Sequence, residues 1–213
     1  MSAGPAQPPA ASRSTERALR WSLLGCSLVS LAALVAHVFK VLPMPFFLEV
    51  FGVPSLLVIY ALAAYAKKIN ARMLTNGLWV GLWAGLAATA VYDGVRFVVE
   101  RAHLFGYNGF VPILMFGSWI TGQAATTTAA KIAGWSYHYW NGATFAVIYT
   151  LTFGRKRWWW GLGYGILMEC CMLGLFPFFL RVTNKLDFIA VSMIGHLAYG
   201  AVLGLLAQQY LCD

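Results

Sequence analysis

Six stretches of roughly twenty apolar residues, each long enough to cross a bilayer core of about 30 Å as a helix, constrain this chain more than any motif. They cover about 20–42, 46–66, 76–99, 135–154, 158–180 and 187–210. The chain has 213 residues, 60% hydrophobic and 10% charged, whereas a soluble domain is about 45–50% apolar and about 25% charged. The expected fold is all-α, a polytopic transmembrane helix bundle of six spanning helices, or seven. It forms one domain over 20–213 behind a disordered cytoplasmic tail over 1–19. No length remains for a soluble catalytic domain, so any chemistry belongs within or at the membrane.

The formal net charge of +8 follows topology. Arg13, Arg17 and Arg20, then Lys67, Lys68 and Arg72, then Arg155, Lys156 and Arg157 form three clusters beside helix ends. There is no basic face for a nucleic acid, which is excluded as a partner. Between the third and fourth stretches lies FVPILMFGSWITGQAATTTAAKIAG, residues 110–134. Its strongly apolar part is short, so it reads as a re-entrant or interfacial element, or as a seventh crossing. With six crossings the basic clusters share one face, and Lys40, Arg101, Lys131, Arg181 and Lys185 lie opposite. With seven the asymmetry collapses. Lys and Arg bias sets orientation, so six crossings with both termini cytoplasmic are expected, in a bacterial plasma membrane. Trp158, Trp159 and Trp160 fit an interfacial aromatic belt on the inner side.

The Pro-, Ala- and Ser-rich start, MSAGPAQPPAASRSTE, has the composition of a disordered tail. Leu23-Leu24-Gly25-Cys26 resembles a lipoprotein cleavage box, but the apolar run continues to Phe39, so an uncleaved first helix is expected. The four cysteines form no disulfide framework. Adjacent Cys170 and Cys171 point about 100° apart on a helix and read as ordinary core thiols. Gly81 and Gly85, Gly161 and Gly165, and Gly200 and Gly204 put small residues on one helix face, which permits close backbone approach. WVGLWAG at 79–85 echoes WWGLGYG at 159–165, pointing to a parallel two-helix repeat.

The polar residues of the apolar segments cluster. Asp93, Arg96, Glu100 and His103 fall at i, i+3, i+7 and i+10, one stripe of a helix. Arg96 and Glu100 have the spacing of an i,i+4 ion pair. Arg96 is long enough to snorkel to the headgroups and Asp93 is not. An ionisable group at that depth faces a partner or a water-filled cavity. The bland reading of Arg96, Glu100 and Arg101 is a charged helix end satisfied at the interface. Under the six-crossing topology none of His37, Glu49, His138, Asn141, Glu169 and His196 lies in the inner half, which predicts one outward-facing buried polar pocket.

The catalytic candidates are Asp93, Glu169, His138 and His196, and the ligand-binding candidates are Tyr92, Arg96, Glu100, Asn141 and Trp140. His196 shares its face with Gly200 and Gly204, so it points into protein. It is either a structural hydrogen-bonding residue or, paired with Glu169, half of a general acid–base couple. His37, His138 and His196 with Glu169 and Asp93 also offer ligands for zinc, iron or haem. No His-x-x-x-His or Cys-x-x-Cys spacing supports a metal, and no cofactor is assigned.

The closing stretch WWWGLGYGILMECCMLGLFPFFL followed by SMIGHLAYGAVLGLL resembles small inner-membrane proteins of the YagU-like kind. There too a Gly-rich helix precedes one with a His-x-x-x-Gly-x-x-x-Gly pattern. The resemblance covers roughly the last quarter of the chain and implies a bundle architecture and no reaction.

Three functions stay open. One is a multi-pass membrane protein whose pocket binds a small or amphiphilic ligand. Another is an intramembrane enzyme acting on a lipid or isoprenoid by carboxylate and histidine acid–base chemistry. The third is a structural or accessory membrane subunit. Membrane lipid is the expected partner, and an oligomer is compatible with each reading. A phosphate-cradling Gly loop, a Ser nucleophile elbow and paired Asp-rich motifs are absent from the sequence.

Overall fold

A computed structural model describes residues 12–179 and 185–212, and every regular element among them is helical. The helices are α1 (Arg13–Val38), α2 (Met44–Lys68), α3 (Arg72–Arg101), α4 (Val111–Thr121), α5 (Thr128–Phe153), α6 (Trp159–Phe179) and α7 (Lys185–Tyr210). Four of them, α1, α2, α3 and α7, are long and apolar enough to cross a membrane.

Side-chain caps explain two helix starts that hydropathy misplaces. Ser12 accepts from the Thr15 amide at 3.2 Å, so α1 begins at Arg13 and its arginine-bearing turns are helical rather than part of the tail. Thr127 accepts from the Ala130 amide at 3.2 Å, so α5 begins at Thr128, not near 135. Both hydroxyls satisfy amides that a helix start leaves without partners. The weakly apolar Thr and Ala tract is therefore the first turn and a half of α5. What remains of the 110–134 segment is α4, whose 11 residues reach about 16 Å. That is about half a hydrocarbon core, too short for a crossing of its own.

Glycine sets the closest helix contacts. On α3, a β-carbon at Gly81 would lie 2.7 Å from the Val147 Cα, and one at Gly85 would lie 2.7 Å from the Ala143 Cα. On α6, Gly161 would meet the Gly204 Cα at 2.7 Å, and Gly165 rests on the His196 carbonyl. The two echoing Gly pairs thus make equivalent approaches, α3 onto α5 and α6 onto α7, both antiparallel. The hairpins join through α3 and α7, where Gly195 receives the Tyr92 ring. The spatial order of the inner helices is α5–α3–α7–α6. α4 folds back along α5, with Gly117 against Ala130 and Gly134 against Ile113.

α1 lies along α5. Ser30 and Thr144 share a hydrogen bond at 3.0 Å, and the Tyr137 hydroxyl donates to the Ser30 carbonyl at 2.7 Å. α2 is outermost, with 11% of its apolar window buried. It carries a π-turn at Leu48–Gly52, where Gly52 makes room for the Trp140 indole. The cysteines depart from the core-thiol expectation. Cys170, Cys171 and Cys212 are exposed and Cys26 is half-buried. Trp158, Trp159 and Trp160 are exposed, with the Arg157 guanidinium 3.7 Å from the Trp159 ring centroid. Arg181, which the sequence places opposite the basic clusters, lies outside the described residues.

The seam between α6 and α7 makes a sharp test. Gly200→Val drives carbon into the Gly161 carbonyl, and overpacking of this kind costs about 1–3 kcal/mol. Thermal melting in detergent should drop by several degrees. A β-carbon at Gly163 meets nothing within 4 Å, so Gly163→Ala should leave the melting temperature unchanged or raise it slightly, as expected for a helix interior.

Candidate functional site

Following each glycine seam upward leads to a carboxylate. Gly77, Gly81, Gly85, Thr89 and Asp93 recur every fourth residue on α3, as Gly161, Gly165 and Glu169 do on α6. Residues four apart share a face, so each carboxylate points at the helix its glycines touch. There it finds a histidine. His138 Nε2 on α5 lies 3.1 Å from both Asp93 oxygens. His196 Nδ1 on α7 lies 2.8 Å from Glu169 Oε2, and the Ser192 hydroxyl donates to that same oxygen at 2.6 Å.

The two imidazoles are held by opposite nitrogens. His196 Nδ1 also sits 3.0 Å from the Ser192 carbonyl, one turn back. A carbonyl oxygen only accepts, so Nδ1 carries the proton and Nε2 is the nitrogen the carboxylate leaves unengaged. At His138 the engaged nitrogen is Nε2, which leaves Nδ1. Tyr92 lies between the two rings, with centroid separations of 5.7 Å to His138 and 5.1 Å to His196. The Arg96 guanidinium covers Tyr92 at 4.6 Å and Phe110 at 5.0 Å, and its NH1 is 3.7 Å from Asp93 Oδ1.

Burial makes these contacts consequential. Glu169 is 0% exposed and Arg96 5%. Placing a charged group in low dielectric is unfavourable by several kcal/mol unless hydrogen bonds and an opposite charge offset it. Glu169 Oε2 has two such donors, whereas Oε1 and Arg96 Nε have no partner within the described chain. Tyr92, Arg96, His138 and His196 all face a cavity of about 260 Å³ that fills the gap between α5 and α6. Asp93 and Glu169 stand behind their histidines and do not line it. Most of the remaining wall is hydrocarbon, including Leu31, Phe145, Ile148 and Met168.

Six of the nine candidate residues therefore come together as two linked pairs with Tyr92 and Arg96, and a seventh, Asn141, joins them on the cavity wall. Asn141 Oδ1 is buried there without a partner. Two candidates fall elsewhere. Trp140 turns its indole to Gly52 on α2 and does not reach the cavity. Glu100 accepts from Asn108 at 2.8 Å, so the expected Arg96–Glu100 pair does not form. The reason is the chain after α3, which returns and lays Gly109 and Phe110 over the guanidinium. Arg96 is thereby folded inward beside Asp93 instead of snorkelling.

His103 lies beyond the end of α3, exposed and with φ 50°, off the expected stripe. Glu49 is exposed on α2. His37 accepts from the Met44 amide at 3.3 Å and packs on Trp119 at 4.7 Å, remote from the other imidazoles. The three histidines do not converge, and among the described residues no three His, Cys, Asp or Glu side chains are grouped to hold a metal.

Ser192 and the returning loop were not foreseen. Ser192 carries a faint signal, a hydroxyl one turn before His196 in an apolar helix. Tyr107 carries none. Its buried hydroxyl has no partner, and burial pushes the phenol pKa up while the Arg96 cation pulls it the other way. No family model, curated protein or solved structure matches the chain.

Removing one partner of a buried pair leaves the other uncompensated, at a cost of about 3–5 kcal/mol. Glu169→Leu and His196→Leu should each destabilise the detergent-solubilised protein on that scale. In the double variant the loss should fall short of the sum by about 1 kcal/mol or more. Additive losses in a double-mutant cycle would mean that the two side chains do not interact.

Proposed function

We propose that this chain is a multi-pass membrane protein that holds an amphiphilic ligand in the cavity between α5 and α6. The ligand's polar head meets Tyr92, Arg96, His138 and His196, and its apolar part lies along Leu31, Phe145 and Ile148. One observation carries the reading: a cavity of about 260 Å³ whose charged and imidazole groups gather on one side while its other walls are hydrocarbon. Ligand sites combine an apolar lining with a few convergent polar groups in this way.

The topology that goes with it has six crossings, α1, α2, α3, α5, α6 and α7, with α4 at the outer interface. Both termini are cytoplasmic in a bacterial plasma membrane, and the pocket lies in the outer half. Support comes from the end of the bundle that holds the basic loops. Arg155 Nε donates to the Gln208 carbonyl at 2.9 Å, and the Asn76 side chain donates to the Tyr210 carbonyl at 3.3 Å. The positive-inside bias assigns that end to the cytoplasm. The likeness of the last two helices to YagU-like proteins is consistent with this bundle and adds no reaction.

Two measurements test the reading. Native mass spectrometry of the protein released from detergent should show a lipid-mass adduct, lost at least tenfold in Leu31→Trp, which fills the apolar wall. A bare wild-type chain would overturn the proposal. For orientation, a Lys156→Cys variant should react with an impermeant maleimide only after the inner membrane is opened. Labelling of intact spheroplasts would invert the topology.

A second reading, an acid–base enzyme acting on a lipid or isoprenoid, is favoured by the paired imidazoles. Each is oriented by a carboxylate through one nitrogen, as general bases are. Under it, Glu169→Gln retains the adduct but leaves it chemically unchanged, whereas wild type converts it.

A further inference from the structure

The cavity has a side opening. Three of its lining residues, Leu28 on α1 and Leu167 and Cys171 on α6, are also exposed on the outside of the bundle, Leu28 by 44% and Leu167 by 53%. Leu28 stands at the break between the two halves of α1. α6 is tied to α5 by the Tyr164 hydroxyl, which donates to the Phe145 carbonyl at 2.9 Å, and both helices contribute to the cavity wall. The opening is deep. Leu28 is ten residues short of Val38, about 15 Å along the axis, and Leu167 is twelve short of Phe179, about 18 Å. A hydrocarbon core is about 30 Å thick, so a mouth at that depth faces lipid tails and not water.

The outward end of the cavity presents a donor. Arg96 is 5% exposed, lines the cavity, and has Nε without a partner in the described chain. Its NH1 is 3.7 Å from Asp93, beyond hydrogen-bond range. A β-carbon at Gly109 would lie 2.8 Å from Arg96 Nε, so the glycine leaves room beside that nitrogen. A group in this state asks for an oxygen acceptor and repels a cation. The volume, about 260 Å³, falls just under the ~300–1,000 Å³ of small-molecule sites, which favours a slender ligand.

Taking the amphiphile reading above as its basis, we infer that the ligand is a single-chain lipid whose head offers an oxygen acceptor to Arg96, and that it enters sideways from the bilayer between α1 and α6. The test uses the full chain in lipid nanodiscs, with palmitate, hexadecylamine and butyrate as probes. Palmitate should bind at least tenfold more tightly than hexadecylamine, and butyrate should not bind measurably. Leu28→Trp and Leu167→Trp place bulk at the exposed mouth and should each weaken palmitate binding at least tenfold. Leu57→Trp, at a position 66% exposed on α2 and remote from the cavity, should leave it unchanged.

Unaltered palmitate binding in both mouth variants overturns the sideways route, and the amphiphile reading stands. Equal binding of hexadecylamine overturns the acceptor head, and equal binding of butyrate overturns the chain. A native lipid adduct on a protein that ignores palmitate also overturns the head chemistry alone. No palmitate binding together with no native adduct overturns the amphiphile reading and this inference with it.

Discussion

A carboxylate with no exposed surface, set in the middle of an apolar helix, is the constraint the rest of this bundle accommodates. Glu169 is too short to reach water and too costly to leave alone. His196 and Ser192 answer it from the facing helix, at 2.8 Å and 2.6 Å to one oxygen. For those groups to arrive, the two backbones must nearly touch, and side chains larger than glycine would hold them apart. Gly161 and Gly165 on one helix and Gly200 and Gly204 on the other allow that approach. The same row of residues that sets the spacing ends in the carboxylate, so packing and polar pairing are one feature. Hydrocarbon supplies little net force for helix association, and close packing with interhelical hydrogen bonds takes over that role.

The other hairpin repeats the arrangement with different residues. Gly77, Gly81 and Gly85 lead through Thr89 to Asp93, and His138 answers from α5. The two hairpins meet where Tyr92 fits against Gly195, so its ring lies between both imidazoles. Two consequences follow for chemistry. The carboxyl groups sit behind the histidines, which present their rings to the cavity in their place. Arg96, stacked on Tyr92 and Phe110, brings the one guanidinium that lines that wall among the described residues. The cavity itself is walled by α5 and α6, the outer members of the row, together with residues of α1, α3, α4 and α7.

Much of this was legible in the residues. Composition announced a helical membrane protein, the spacing of small residues marked the seams, and the depth of Glu169 and His196 made their pairing one of two readings. What escaped was set by hydrogen bonds and by chain reversal, which hydropathy does not register. Thr127 and Ser12 began two helices early because a hydroxyl cap outweighs a weakly apolar composition. The stripe read through Asp93, Arg96, Glu100 and His103 divided because the chain after Arg101 folds back over Arg96. That return depends on Gly109 lacking a side chain and on where α4 starts, and no local pattern encodes either. The fourfold row from Gly77 to Asp93 was present in the sequence and carried more information than the charged stripe beside it.

The two imidazoles give the account its most direct check. If each ring is pinned by a buried carboxylate as described, nitrogen-15 NMR of histidine-labelled protein in bilayers will show a proton on Nδ1 of His196 and on Nε2 of His138. Assignment comes from single His→Gln variants of each. Opposite engaged nitrogens that hold their protons without rapid solvent exchange are the predicted result. A His196 protonated on Nε2 alone, or rings exchanging freely with water, would contradict the pairing and the buried site built on it.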